Sequence, residues 1–186
     1  SITTYGNVTG GSFGIDARNY GTGDLTIEST NDMGTASVTG DNRGIVATNS
    51  NGGNLSVQAD NDTGGTYNDG ILAFNNAGTV DLSITTYGNV TGGNEGIDAR
   101  SNGLGNLTIE STNDMGTASV TGDNIGIFAS NSTGGNLSVK ADNVTGTNNN
   151  GIFARNNAGT VDLSITTYGN VTGGRYGEGI GALNYG

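Results

Sequence analysis

The feature that most constrains this chain is a phrase, Gly-Ile-x-Ala-x, that occurs seven times. It reads GIDAR at 14–18, GIVAT at 44–48, GILAF at 70–74, GIDAR at 96–100, GIFAS at 126–130, GIFAR at 151–155 and GIGAL at 179–183. Successive copies are 25 to 30 residues apart. A phrase with that period marks a solenoid, in which each unit buries its apolar face only against its neighbours.

Two further phrases share the period. Units open with [Asp/Asn]-Leu-[Ser/Thr]-[Ile/Val] at Asp24, Asn54, Asp81, Asn106, Asn136 and Asp162. The apolar pair is two residues apart, which is strand spacing. A Val-Thr-Gly link follows at Val8, Val38, Val90, Val120, Val144 and Val171, and Asp62 stands in that place in the unit opening at Asn54. Each unit therefore offers three short strands. With 36 Gly and no 3.6-residue pattern, helix is not a credible alternative. The expected fold is all-β: a right-handed parallel β-helix with three short strands per coil and about six to seven coils, its aliphatic residues inward. Disorder would not require the aliphatic register.

A longer period is superimposed. SITTYGNVTG at 1–10 returns at 83–92 and 164–173, offsets of 82 and 81 residues. The expectation is one β-helix segment over 1–186, built from duplicated three-coil blocks starting at 1, 83 and 164. Because the chain starts inside a repeat, it reads as a piece of a longer protein. Strand edges left bare at its ends would then favour end-to-end association. The Asp/Asn openings form one corner column, expected to hydrogen-bond as a ladder. Gly is expected to supply positive φ at the other bends. The absence of Pro fits backbone amides that must all pair between coils.

The net charge of −11 argues against nucleic acid or anionic lipid as partner. There is no Cys, so neither disulfides nor thiolate metal sites are available. No His is present, Lys140 is the sole lysine, and no Ser or Cys has an evident partner, so no enzymatic activity is expected. TGDN at 39–42 and 121–124 could offer oxygen ligands, but the acidic residues show no convergent pattern, and neither metal nor cofactor is expected.

What remains is surface. With Ile and Ala inward, the x positions of the seven-fold phrase face outward in two columns: Asp16, Val46, Leu72, Asp98, Phe128, Phe153, Gly181, and Arg18, Thr48, Phe74, Arg100, Ser130, Arg155, Leu183. Three of the four Phe residues thus sit on one face beside Arg100 and Arg155. Exposed apolar and aromatic columns beside arginine suit protein recognition. The competing reading is an aromatic ladder that only strengthens the sheet. The stretch 29–36 repeats identically at 111–118 and lengthens two coils on one edge. It carries the only two methionines, Met33 and Met115, which join Leu72, Phe74, Asp98, Arg100, Phe128, Phe153 and Arg155 as candidate binding residues. The outer positions of the Leu-Ser/Thr-Ile/Val strands are mixed polar, unlike the uniform Thr array of an ice-binding face.

These three phrases resemble passenger segments of autotransporters, the type V secreted surface proteins of Gram-negative bacteria. The resemblance covers nearly all of the chain, through degenerate motifs that specify a superfamily. It implies a β-helical passenger exported through a C-terminal outer-membrane barrel and displayed at, or released from, the cell surface. It further implies an adhesin or receptor ligand for a host-cell surface protein. The other readings are a passive stalk, or self-association between such helices; no small-molecule substrate is implied.

Overall fold

The structure is a computed structural model that describes residues 1–76, 78, 80–157 and 161–186. Among them are 21 strands and no helix. The strands form three parallel sheets of seven strands each. One coil contributes one strand to each sheet. The second coil, for example, runs Leu25–Ser29, Ser37–Gly40 and Arg43–Asn49. Every third strand in sequence is a neighbour in the sheet, so the chain is a β-solenoid of about seven coils.

Register follows the phrases. Leu25, Leu55, Leu82, Leu107, Leu137 and Leu163 stack in the first sheet. Ile15, Ile45, Ile71, Ile97, Ile127 and Ile152 stack in the third, with the alanines two residues on beside them. These side chains, with the valines of the second sheet, form one continuous apolar core. Burying each such Leu, Ile or Val side chain contributes about 1.5–3 kcal/mol, which is how a chain this rich in Gly stays folded.

Asn and Asp hold the corners. At the unit openings, Asp24 Oδ1 accepts from the amide of Asn54 (2.7 Å), Asn54 Oδ1 from Asp81 (3.2 Å), and Asp81 Oδ1 from Asn106 (2.7 Å). Asn106 and Asn136 continue the series to Asn136 and Asp162. The expected ladder is present, but each rung links a side chain to the backbone of the next coil. A second, fully buried column, Asn49, Asn75, Asn131 and Asn156, ends the third-sheet strands. Each Nδ2 donates to a carbonyl four or six residues ahead, closing the turn from within.

Glycine acts mainly through size. Among the described residues only Gly34, Gly78 and Gly116 have positive φ, so the expectation that left-handed glycines make the bends is corrected. The Gly of each Val-Thr-Gly link lies where a Cβ would meet a carbonyl oxygen of the tight turn: at Gly122 it would sit 1.9 Å from Ile125 O. The Gly opening each Gly-Ile-x-Ala-x phrase faces the core as well. A Cβ on Gly96 would lie 2.5 Å from Val120 Cγ1.

Asp62 interrupts the valine column. It pairs in register with Val38 and Val90, is 1 % exposed, and neither carboxyl oxygen has a hydrogen-bond partner. Burial alone drives its pKa well above the usual carboxylate range.

Candidate functional site

The site forms on the third sheet, across the strands Arg43–Asn49, Ile71–Asn75, Glu95–Ser101, Ile125–Asn131 and Ile152–Asn156. Register sets Leu72, Asp98, Phe128 and Phe153 side by side, and Phe74, Arg100, Ser130 and Arg155 in the next outward column. Two residues apart on one face, Arg100 and Asp98 make a two-pronged ion pair, with Nε to Oδ1 and Nη2 to Oδ2 both at 2.8 Å. The same guanidinium lies 5.0 Å from the Phe128 ring centre, a cation–π contact. Phe128 stacks on Phe153 with centroids 5.8 Å apart and rings inclined by 23°. Arg155 Nη2 donates to Ser130 Oγ at 3.3 Å.

Sequence reasoning missed the other half of the site. Strict alternation back from Ile97 would send Glu95 inward. Gly96 and Ile97 both face the core, however, so Glu95 and Asp98 both face out. The residues immediately before the glycines of three successive coils, Arg43, Asp69 and Glu95, therefore join the outer face. Their legible signal was a charged column one position upstream of the repeated phrase. Arg43 Nε donates to Asp69 Oδ2 at 3.0 Å. Carboxyl oxygens of Asp69, Glu95 and Asp98 lie within 4.8 Å of one another. The expectation that the acidic residues do not converge is thus overturned.

The charges decide the state of this cluster. Three buried carboxyl groups face two guanidiniums, leaving one negative charge unmatched if all ionise. Glu95 is 7 % exposed, accepts from Asn124 Nδ2 at 3.4 Å through Oε1, and leaves Oε2 without a partner. Burial, then the neighbouring Asp69 and Asp98, push its pKa up to about 8. Asp98 is also raised by burial, against the opposing pull of Arg100. The upward shift favours the protonated form of Glu95, which removes the unmatched negative charge. Asp69, Glu95 and Asp98 are the donor set that could hold a cation, but Arg43 and Arg100 already occupy oxygens of Asp69 and Asp98.

A groove of about 380 Å³ opens over the cluster, with Leu72 and Phe74 as apolar lining and Arg43, Asp98 and Arg100 among its polar groups. The apolar column is not the fully exposed face that alternation implied. Leu72, Phe74, Phe128 and Phe153 are half-buried, while Val46 and Asp98 are buried by their neighbours in the stacked sheet. Met33 and Met115 are 80 % exposed, but they stand on loops between the first and second sheets. The nine sequence candidates therefore divide: seven share the third sheet, and the two methionines belong to another edge. No protein-family model, curated protein or solved structure matches the chain.

Proposed function

We propose that the chain is a protein-binding solenoid whose third sheet is the contact face. The observation that carries this is the groove itself: apolar walls from Leu72 and Phe74 beside two arginines, with the stacked Phe128 and Phe153 continuing it along the rod. Aromatic and arginine side chains on a rigid sheet make contacts at low entropic cost, because ion pairing and stacking already restrain them. In keeping with the resemblance to autotransporter passengers, the partner is a host-cell surface protein, and the chain works outside the bacterial cell as an adhesin or receptor ligand.

A second reading, a passive stalk, draws on the long internal repeat of 82 and 81 residues, since a spacer needs only length. One experiment separates them. Fluorescently labelled chain is titrated onto cultured mammalian cells before and after mild protease treatment of the cells. The receptor reading predicts saturable binding that protease abolishes. Absence of saturable binding would favour the stalk.

A further inference from the structure

A second recessed surface lies on the edge between the first and second sheets, occurs twice, and is separate from the third-sheet groove. Each copy is built by one repeated loop. In the first, Asn31 Oδ1 accepts from the amides of Met33 (3.1 Å) and Thr35 (3.0 Å), and Gly34 turns the chain at φ 66°. Asp60, on the next coil, clamps the base: its Oδ2 accepts from the amides of Asn31 (3.0 Å) and Ala36 (3.2 Å). Asn113, Gly116 and Asp142 repeat this arrangement around Met115. The two loops are thus equivalent outcrops with the same internal hydrogen bonds.

Each outcrop stands between two tyrosines. The first cleft, about 580 Å³, lies between Tyr5 and Tyr87 and contains Glu28, Asp32 and Asp60. The second, about 710 Å³, lies between Tyr87 and Tyr168 and contains Glu110, Asp114 and Asp142. Tyr87 is a wall of both. Neither lining includes Lys or Arg, and the nearest cation in register is Lys140, beside Glu110 at the rim of the second cleft. All three tyrosines are exposed.

We propose that the two clefts form a paired site for an extended basic peptide segment, each taking one Lys or Arg side chain between tyrosine walls and carboxylates. Charge complementarity selects the cation, in a chain whose own net charge is −11. A tyrosine face adds cation–π attraction, and the apolar stem of Lys or Arg packs on the ring. The spacing selects the peptide. Tyr5, Tyr87 and Tyr168 follow the strands Ile2–Thr4, Leu82–Thr86 and Leu163–Thr167, which are three places apart in the first sheet. At about 4.8 Å per strand, equivalent points in the two clefts are about 14 Å apart. An extended chain advances about 3.4 Å per residue, so cationic side chains at i and i+4 reach both clefts from one face.

The test uses fluorescence anisotropy with nine-residue Gly/Ser peptides, acetylated and amidated, carrying Lys at positions 3 and 7 or at 3 and 5. The 3,7 peptide is expected to bind about tenfold tighter or more, because its second contact is intramolecular, and to weaken as salt rises. Asp32→Asn with Asp114→Asn, two exposed loop positions, should lower its affinity, and Tyr87→Ser, which removes a wall of both clefts, should lower it as well. Circular dichroism checks that each variant keeps the β spectrum. Equal affinity for the two spacings would overturn the proposal. So would unchanged binding by the Asp32/Asp114 variant, or displacement of the peptide by a neutral oligosaccharide. No cells enter the assay, so its outcome is independent of the receptor-binding reading.

Discussion

At the scale of single residues, two buried acids carry testable consequences: Asp62, which departs from the valine column, and Glu95 in the charged cluster. Asp62 occupies a valine position with no partner for either oxygen. Asp62→Val would complete the column with Val38 and Val90 and should stabilise the fold by roughly 1–3 kcal/mol, the usual cost of an unsatisfied buried polar group. Thermal unfolding checks this, and a lower melting temperature for the variant would contradict it. Glu95 gives a pH signature. Its folded pKa, about 8, lies above its ordinary value of 4.5. Below pH 4.5 both folded and unfolded states hold the proton and the stabilisation is complete. As pH rises, the unfolded chain releases its proton first, and stability falls until about pH 8. The slope from this one group is at most about 1.4 kcal/mol per pH unit. Glu95→Gln should therefore make stability fall less steeply between pH 5 and 8. An unchanged profile would show that Glu95 titrates normally. Asp62 was visible in the sequence as a departure, whereas its isolation was not, because partners for a carboxyl depend on which atoms surround it.

At the scale of the strand and its turn, the repeated phrases were readable because their chemistry is local. Strand positions, inward aliphatics and the Asp/Asn corner column follow from period-two spacing and from recurrence alone. What escaped was the break in alternation at the glycine of Gly-Ile-x-Ala-x. Gly96 and Ile97 both turn inward, and that moves Arg43, Asp69 and Glu95 onto the outer face. The expectation of positive φ at the bends failed because close approach of backbone, as at the Val-Thr-Gly glycine, and left-handed φ select the same residue in a sequence. The two causes predict different mutational maps. Gly122→Ala would drive a methyl into Ile125 O and should cost about 1–3 kcal/mol or more, whereas Gly11→Ala meets nothing within 4 Å and should be near neutral. Denaturant unfolding of the two variants decides it; equal stabilities would refute the close-packing account of these turns.

At the scale of the whole molecule, stacking turns each repeated residue into a column, and the columns specialise by sheet. The outer face of the first sheet is polar, its edge carries two tyrosine-walled clefts, and the third sheet carries the groove of arginine and aromatic side chains. The shared face of seven of the nine candidate residues was legible because they sit on a phrase whose outward positions alternation identifies. The methionine loops were legible as insertions, but their position on a different edge needed three dimensions. The assignment of function rests on the third-sheet face being the part that touches a partner. The most direct test is saturation binding of labelled chain to mammalian cells, comparing wild type with Phe74→Ser combined with Arg100→Ala, and with Thr9→Ala, an exposed position on the second sheet, as control. The account predicts at least about a tenfold loss of affinity for the groove variant, with its β spectrum intact, and wild-type binding for the control. Wild-type binding by the groove variant would contradict it.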